Sequence, residues 1–320
     1  MNGDLDGVLL MTYGSPDSLA REDIRAYLTS VRGGRQPDDE LVDEFTRRYR
    51  VIGGSPLIPI TQRQAEALGQ RLGWPAAAGM RFSEPSIETS LRTLAEAGAR
   101  RVAAIVLSPQ YSPLLMGGYA RAIEAARAAI GPEAPEVVIA GAWHTEPRFI
   151  AALAGRIREG LATFEKPERG SVPVLLTAHS LPLRVAQQEP EYLAQLEATA
   201  VAIADAAGLP RERWTFCWQS AGHEPGEWMK PDFADLMPRL AAAGHRGVLV
   251  APVQFLADHL EILYDVEIGA REQAEQAGLR FARIRSLNDD PALIEALAAV
   301  AEATLAAAAP APVAAAPAGA

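Results

Sequence analysis

The stretch LLTAHSLPLRV, Leu175 to Val185, runs from an apolar segment into His179 and Ser180 and turns at Pro182. Proline ends regular strand pairing, so His179 should stand at the C-terminal tip of a strand. In open α/β sheets that tip is where ligands bind. Imidazole titrates near neutral pH and ligates metals, so a histidine there can accept a proton or hold a cation. A second candidate is VQFLADHLEILYDVE, Val253 to Glu267, which reads as a helix. Asp258, Glu261 and Asp265 then share one helical face at i, i+3 and i+7. Such a row is either a solvated stripe or a set of hard oxygen ligands for a divalent cation. Leu260, Ile262 and Leu263 make the segment strongly apolar, which favours a row facing a cleft. His259 beside them reads as a lining or capping residue. Tyr13 in MTYGSP follows an apolar strand and precedes a Gly-Ser-Pro turn, a place from which a phenol reaches over a sheet end. Arginines beside glycine turns, in VRGGR and RRYRVIGGSPL, suit carboxylates or phosphates, although arginine and glycine are also ordinary helix C-caps.

These residues need elements to position them. Unbroken apolar runs at Gly7–Thr12, Val102–Ser108, Val137–Ala142, Val172–Ala178, Trp214–Trp218 and Gly247–Pro252 read as buried strands. Between them lie helical patterns at Arg21–Val31, Leu41–Tyr49, Thr61–Leu72, Ser86–Ala97, Ala120–Ile130, Pro147–Glu159, Pro190–Ala207 and Phe233–Ala243. The alternation predicts α/β architecture with parallel sheets flanked by helices. RRVAAIVLSPQYSPLL (Arg100–Leu115) and HRGVLVAPVQFLADHL (His245–Leu260) share a layout of basic lead, apolar strand, proline, and glutamine followed by an aromatic. LLMTYGSP and LLTAHSLP correspond more loosely. The chain therefore reads as two similar halves whose strand tips meet at one cleft.

The 320 residues are 49% hydrophobic, enough for one large or two medium domains. A net charge of −10 does not suit nucleic acid. The single cysteine, Cys217, excludes a disulfide framework and a cysteine-rich zinc or iron–sulfur site. No G-x-G-x-x-G follows a strand, which disfavours a dinucleotide enzyme. The N-terminus has no signal-peptide pattern, and no uninterrupted apolar stretch reads as a membrane span. The expectation is a soluble cytoplasmic protein. The tail from Ala306, rich in alanine and proline, reads as disordered.

Taken together, MTYGSP, YLTSVRGGRQP, RRYRVIGGSPL, SPQYSPLLMGGY, TAHSLP, CWQSAG and APVQFLADHLEILYD resemble the ferrochelatases from about Gly7 to Ala299. The resemblance implies two Rossmann-like halves, residues 1–147 and 148–305, with the active-site cleft between them and the tail 306–320 outside. It implies insertion of Fe²⁺ into a porphyrin in haem biosynthesis. His179 would meet the pyrrole nitrogens or the metal, and Glu261 would be its carboxylate partner across the cleft. Asp265 would be the next step of an acidic ladder, whose further carboxylate in some relatives is replaced here by Gly269. Tyr13 makes the chain most similar to the coproporphyrin ferrochelatases of Gram-positive type, where this tyrosine approaches iron from the face opposite the histidine. Arg32, Arg48, Tyr49, Ser55 and Tyr119 would hold the porphyrin and its propionates. Iron is then a substrate, with no tightly bound cofactor and no iron–sulfur cluster. The resemblance further implies a monomer that meets haem-pathway enzymes transiently. Protoporphyrin IX as substrate, a cobalt or nickel chelatase for another tetrapyrrole, and a non-catalytic haem carrier are the rival readings.

Overall fold

A computed structural model describes residues 5–222 and 226–308. The first half forms a parallel sheet in the order β2-β1-β3-β4, with β1 at Leu5–Thr12, β2 at Ala76–Met80, β3 at Ala99–Val106 and β4 at Glu136–Ile139. The second half repeats that order as β6-β5-β7-β8, with β5 at Val174–His179, β6 at Trp214–Gln219, β7 at Gly247–Pro252 and β8 at Arg280–Arg283. The duplicated segments thus form the third strand of each sheet, β3 and β7. MTYGSP and TAHSLP leave the first strand of each, β1 and β5. Strand order reverses between first and third strands, so both exits open at a topological switch point.

The central strands are apolar because both faces are covered. Val8, Leu9, Leu10, Val174, Leu175 and Leu176 are fully buried. Two strands escape the sequence pattern. AAAGM of β2 has no branched side chain. Helix Ile87–Glu96 lies so close over it that a Cβ on Gly79 would stand 3.0 Å from the Ile87 Cα. RFAR of β8 is a four-residue edge strand whose charges conceal it.

Four helices run longer than their sequence patterns, at Asp39–Val51, Leu57–Leu72, Pro113–Ile130 and Pro147–Ala162. The expected helix over Val253–Glu267 begins only near Leu260 and continues as a π-helix, Glu261–Ala270. The final helix, Pro291–Ala308, is absent from the sequence reading and corrects the tail, whose residues 306–308 are helical. Residues 309–320 lie outside the described residues. By length and composition this helix is apolar enough to cross a membrane. Leu293, Leu297 and Ala301 are fully buried, and the helix packs on β3 and on helices Leu57–Leu72 and Pro147–Ala162. The last helix among the described residues therefore closes over the first sheet. Replacing Leu297 with Ala should lower unfolding free energy by about 2–5 kcal/mol in chemical denaturation. An unchanged midpoint would show that this helix is not part of the cooperative core.

Candidate functional site

A cavity of about 700 Å³ opens where the strand ends of the two halves meet. That is the size range of small-molecule sites. Tyr13, Ser55, Tyr119, Arg48, Tyr49, His179, Glu261 and Asp265 all line it. Arg32 does not. It is the residue at which helix Arg21–Val31 stops, and its side chain is exposed.

His179 is the last residue of β5. Its backbone N–H donates to Gln254 Oε1 at 2.8 Å, and Gln254 Nε2 in turn donates to the Tyr192 hydroxyl. The ring is held at Nδ1, which hydrogen-bonds to the carbonyl of Ser180. A carbonyl only accepts, so Nδ1 carries the proton and the neutral ring keeps its lone pair on Nε2. That nitrogen stands 3.6 Å from Glu261 Oε2. Glu261 Oε2 is itself buried and has no hydrogen-bond partner among the described residues. Two lone pairs therefore meet with no donor between them. An unsatisfied buried acceptor costs about 1–3 kcal/mol, so the arrangement favours arrival of a proton or a cation.

Asp265 follows Glu261 along the π-helix, a form rare in proteins and frequent at functional sites. Burial pushes its carboxyl pKa up; a hydrogen bond from Ser220 opposes this, Glu261 adds to it, and Arg48 and, when protonated, His179 draw it down. Ser220, the residue after β6, is in left-handed backbone, φ 57°, which a non-glycine residue adopts only when its surroundings demand it. Arg48 Nη1 lies 3.4 Å from Asp265 Oδ1, and Arg48 Nε lies 3.1 Å from Glu44 Oε1. The arginine that the resemblance assigns to propionates is thus engaged by carboxylates of both halves. Asp38 starts its helix by accepting from the Leu41 N–H, and Gly53–Gly54 ends it.

Asp258 departs from the expected row. It precedes the helix and turns away, accepting from Ser286 Oγ at 2.8 Å and Asn288 Nδ2 at 3.0 Å. Its place is structural because the segment after β7 stays irregular until Leu260. Among the described residues no group of three or more His, Cys, Asp or Glu could hold a metal ion. His259 lines the cavity with its ring 4.7 Å from that of Phe255.

Tyr13 sits just beyond β1, at the strand exit that corresponds to the β5 tip where His179 stands. The residue is 44% exposed and lines the cavity, and its ring meets that of Phe82 edge-on at 4.7 Å. Burial raises the phenol pKa, Arg81 opposes this, and the charge of Glu261 adds to the rise. The turn behind it depends on Gly14, at φ 101°, where a Cβ would fall 2.4 Å from Ser83 Oγ. That hydroxyl donates to the Ser15 carbonyl at 2.6 Å and fixes the turn. The Tyr27 hydroxyl also donates to the Gly14 carbonyl, at 3.0 Å.

Sequence reasoning missed Arg81, whose guanidinium lies 4.7, 5.5 and 6.0 Å from the ring centres of Phe82, Tyr119 and Tyr13. It follows β2, the strand that the pattern concealed. Gln254 was visible as the glutamine of the repeat, without its role of anchoring His179. Cys217 is fully buried within the second core, and burial pushes its thiol up.

Because burial raises the pKa of Asp265, its ionised form is disfavoured in the folded chain. That cost applies above the folded pKa and vanishes as acid protonates the group in both states. Asp265→Asn should therefore melt higher than the parent near neutral pH, with the gap closing toward acid pH. Calorimetry showing a lower melting point at neutral pH would contradict this.

A family model described as Ferrochelatase matches residues 5–305. The ferrochelatase of Deinococcus radiodurans is 40% identical over 302 residues, covering 92% of this chain and 95% of that protein. The coproporphyrin III ferrochelatase of Geobacillus kaustophilus is 37% identical over 303 residues, covering 92% and 94%. Among solved structures, SirB from Bacillus subtilis with Fe³⁺ superposes with a TM-score of 0.58 at 14% identity, over 95% of this chain and 97% of that one. CbiX, named as the terminal enzyme of sirohaem biosynthesis in denitrifying bacteria, gives 0.54 at 15% identity over 93% and 98%. At such identities these structures bear on the fold alone, two parallel sheets flanked by helices in the chelatase manner. The length of the family match and the identity to curated relatives go further: the chain belongs to the ferrochelatase family and is a metal–porphyrin chelatase.

Proposed function

We propose that this enzyme inserts Fe²⁺ into coproporphyrin III, with His179 and Glu261 as the reacting pair. A free porphyrin carries two pyrrole protons in a rigid ring, and iron enters only when both have left. The reaction converts porphyrin-H₂ and Fe²⁺ into iron porphyrin and two protons. It needs a proton acceptor aimed at the ring centre and ligands that release iron readily. The observation that carries the reading is the unsatisfied pair itself, His179 Nε2 and Glu261 Oε2 at 3.6 Å on the cavity wall. Nε2, with its lone pair free, accepts a pyrrole proton, and the carboxylate beside it stabilises the imidazolium that forms. Asp265 then provides the next oxygen along the wall, for protons leaving or hydrated iron arriving. Oxygen and imidazole hold Fe²⁺ weakly enough to give it up, whereas a thiolate would retain it.

The coproporphyrin assignment draws support from Tyr13. It stands at the strand exit of the first half that corresponds to the β5 tip where His179 stands, so a flat ring between the halves meets an imidazole and a phenol. Relatives named coproporphyrin III ferrochelatase match more than nine-tenths of the chain. Tyr49, Ser55, Tyr119 and Arg48 on the cavity wall are the groups available for the ring and its carboxylates.

Anaerobic metallation followed by porphyrin absorbance tests this, with coproporphyrin III and protoporphyrin IX in parallel. The parent should metallate coproporphyrin faster, and His179→Ala should lose about 10²-fold or more while still binding the ring. Preference for protoporphyrin would overturn the substrate assignment. Binding of either ring without insertion would point to a haem carrier.

A further inference from the structure

The irregular segment before the π-helix and the middle of that helix are tied to one cation. Arg283, the last residue of β8, is largely buried. Its Nε donates to Glu267 Oε2 at 2.5 Å, within the π-helix. Its Nη2 lies 3.3 Å from Asp258 Oδ1, just before that helix begins. Nη1 donates to the Ile284 carbonyl at 3.0 Å, which fixes the guanidinium plane. Asp258 is held further by Ser286 and Asn288, and its own N–H donates to Asn288 Oδ1 at 2.8 Å. Glu261 lies between the two carboxylates that Arg283 joins, three residues after one and six before the other.

We propose that Arg283 is a positioning residue for the iron-facing wall. It clamps Asp258 and Glu267 and thereby sets where Glu261 and Asp265 stand relative to His179. The inference rests on the assignment of Glu261 to the reaction. A guanidinium suits the task because its planar fork engages two carboxylates at once, and a lysine ammonium lacks that fork. Arg283 touches neither the cavity nor the substrate, so its effect should fall on iron and spare the porphyrin. Groups that orient metal-binding side chains typically change metal affinity by about 10–100-fold when lost.

The test compares Arg283→Leu, Arg283→Lys and Ser286→Ala with the parent, measuring KM for Fe²⁺, KM for porphyrin, and porphyrin affinity by fluorescence quenching. Arg283→Leu should raise the Fe²⁺ KM about tenfold or more and leave porphyrin affinity within about twofold. Arg283→Lys should recover part of that loss. Should the leucine variant fail to fold, Ser286→Ala decides, because it loosens only Asp258; its Fe²⁺ KM should rise with porphyrin affinity unchanged. An unchanged Fe²⁺ KM in the folded variants would overturn the proposal, as would parallel loss of iron use and porphyrin binding. Parent enzyme and Glu261→Gln in the same assay test the underlying assignment separately. If Glu261→Gln keeps the parental Fe²⁺ KM and rate, that assignment fails before the clamp is at issue.

Discussion

A carboxylate oxygen buried with no donor opposes folding, and proteins keep few of them. Glu261 Oε2 is such an atom, and the nearest basic group, His179 Nε2, has no proton to offer while the ring is neutral. Much of the second half holds that confrontation in place. Gln254 and Ser180 grip His179 from its backbone and its other ring nitrogen. The π-helix carries Glu261, and Arg283 joins its Glu267 to Asp258 in the irregular segment before it. A buried acceptor left without a donor favours the arrival of a proton or a cation.

The symmetry of the fold explains why one cavity presents different chemistry on its two sides. Each half sends its first strand to a switch point, where β1 leads to a phenol and β5 ends in an imidazole. The halves are also joined at the site's support. The backbone of Asn288, left-handed at φ 49°, accepts from the buried Gln64 of helix Leu57–Leu72 at 2.6 Å, while its side chain holds Asp258. Asparagine tolerates that conformation better than most residues. The first half therefore contacts the segment that leads to Glu261 on the cavity wall, through the same loop that leads into the closing helix Pro291–Ala308.

Much of this was legible in the sequence because burial on both faces leaves an unmistakable apolar run. His179 at a strand tip followed from Pro182, and the duplicated third strand followed from its repeated layout. What stayed hidden was set by tertiary contact. β2 is small-residue because a helix crosses it closely, and Arg81 was lost with it. Helical periodicity placed Asp258 with Glu261 and Asp265, yet backbone irregularity up to Leu260 turns Asp258 toward Ser286 and Asn288. The resemblance gave Arg32 to the porphyrin, whereas its glycine neighbours alone read as an ordinary helix end, and there it stands exposed, outside the cavity lining. Helix Pro291–Ala308 was overlooked because alanine gives little contrast between faces.

The central claim is that His179 and Glu261 act as one unit, so a double-mutant cycle on metallation rate tests it most directly. His179→Ala and Glu261→Gln should each cost about 10²-fold or more, and the double variant should be little slower than the worse single one. Losses that multiply in the double variant would show two independent groups and contradict the account.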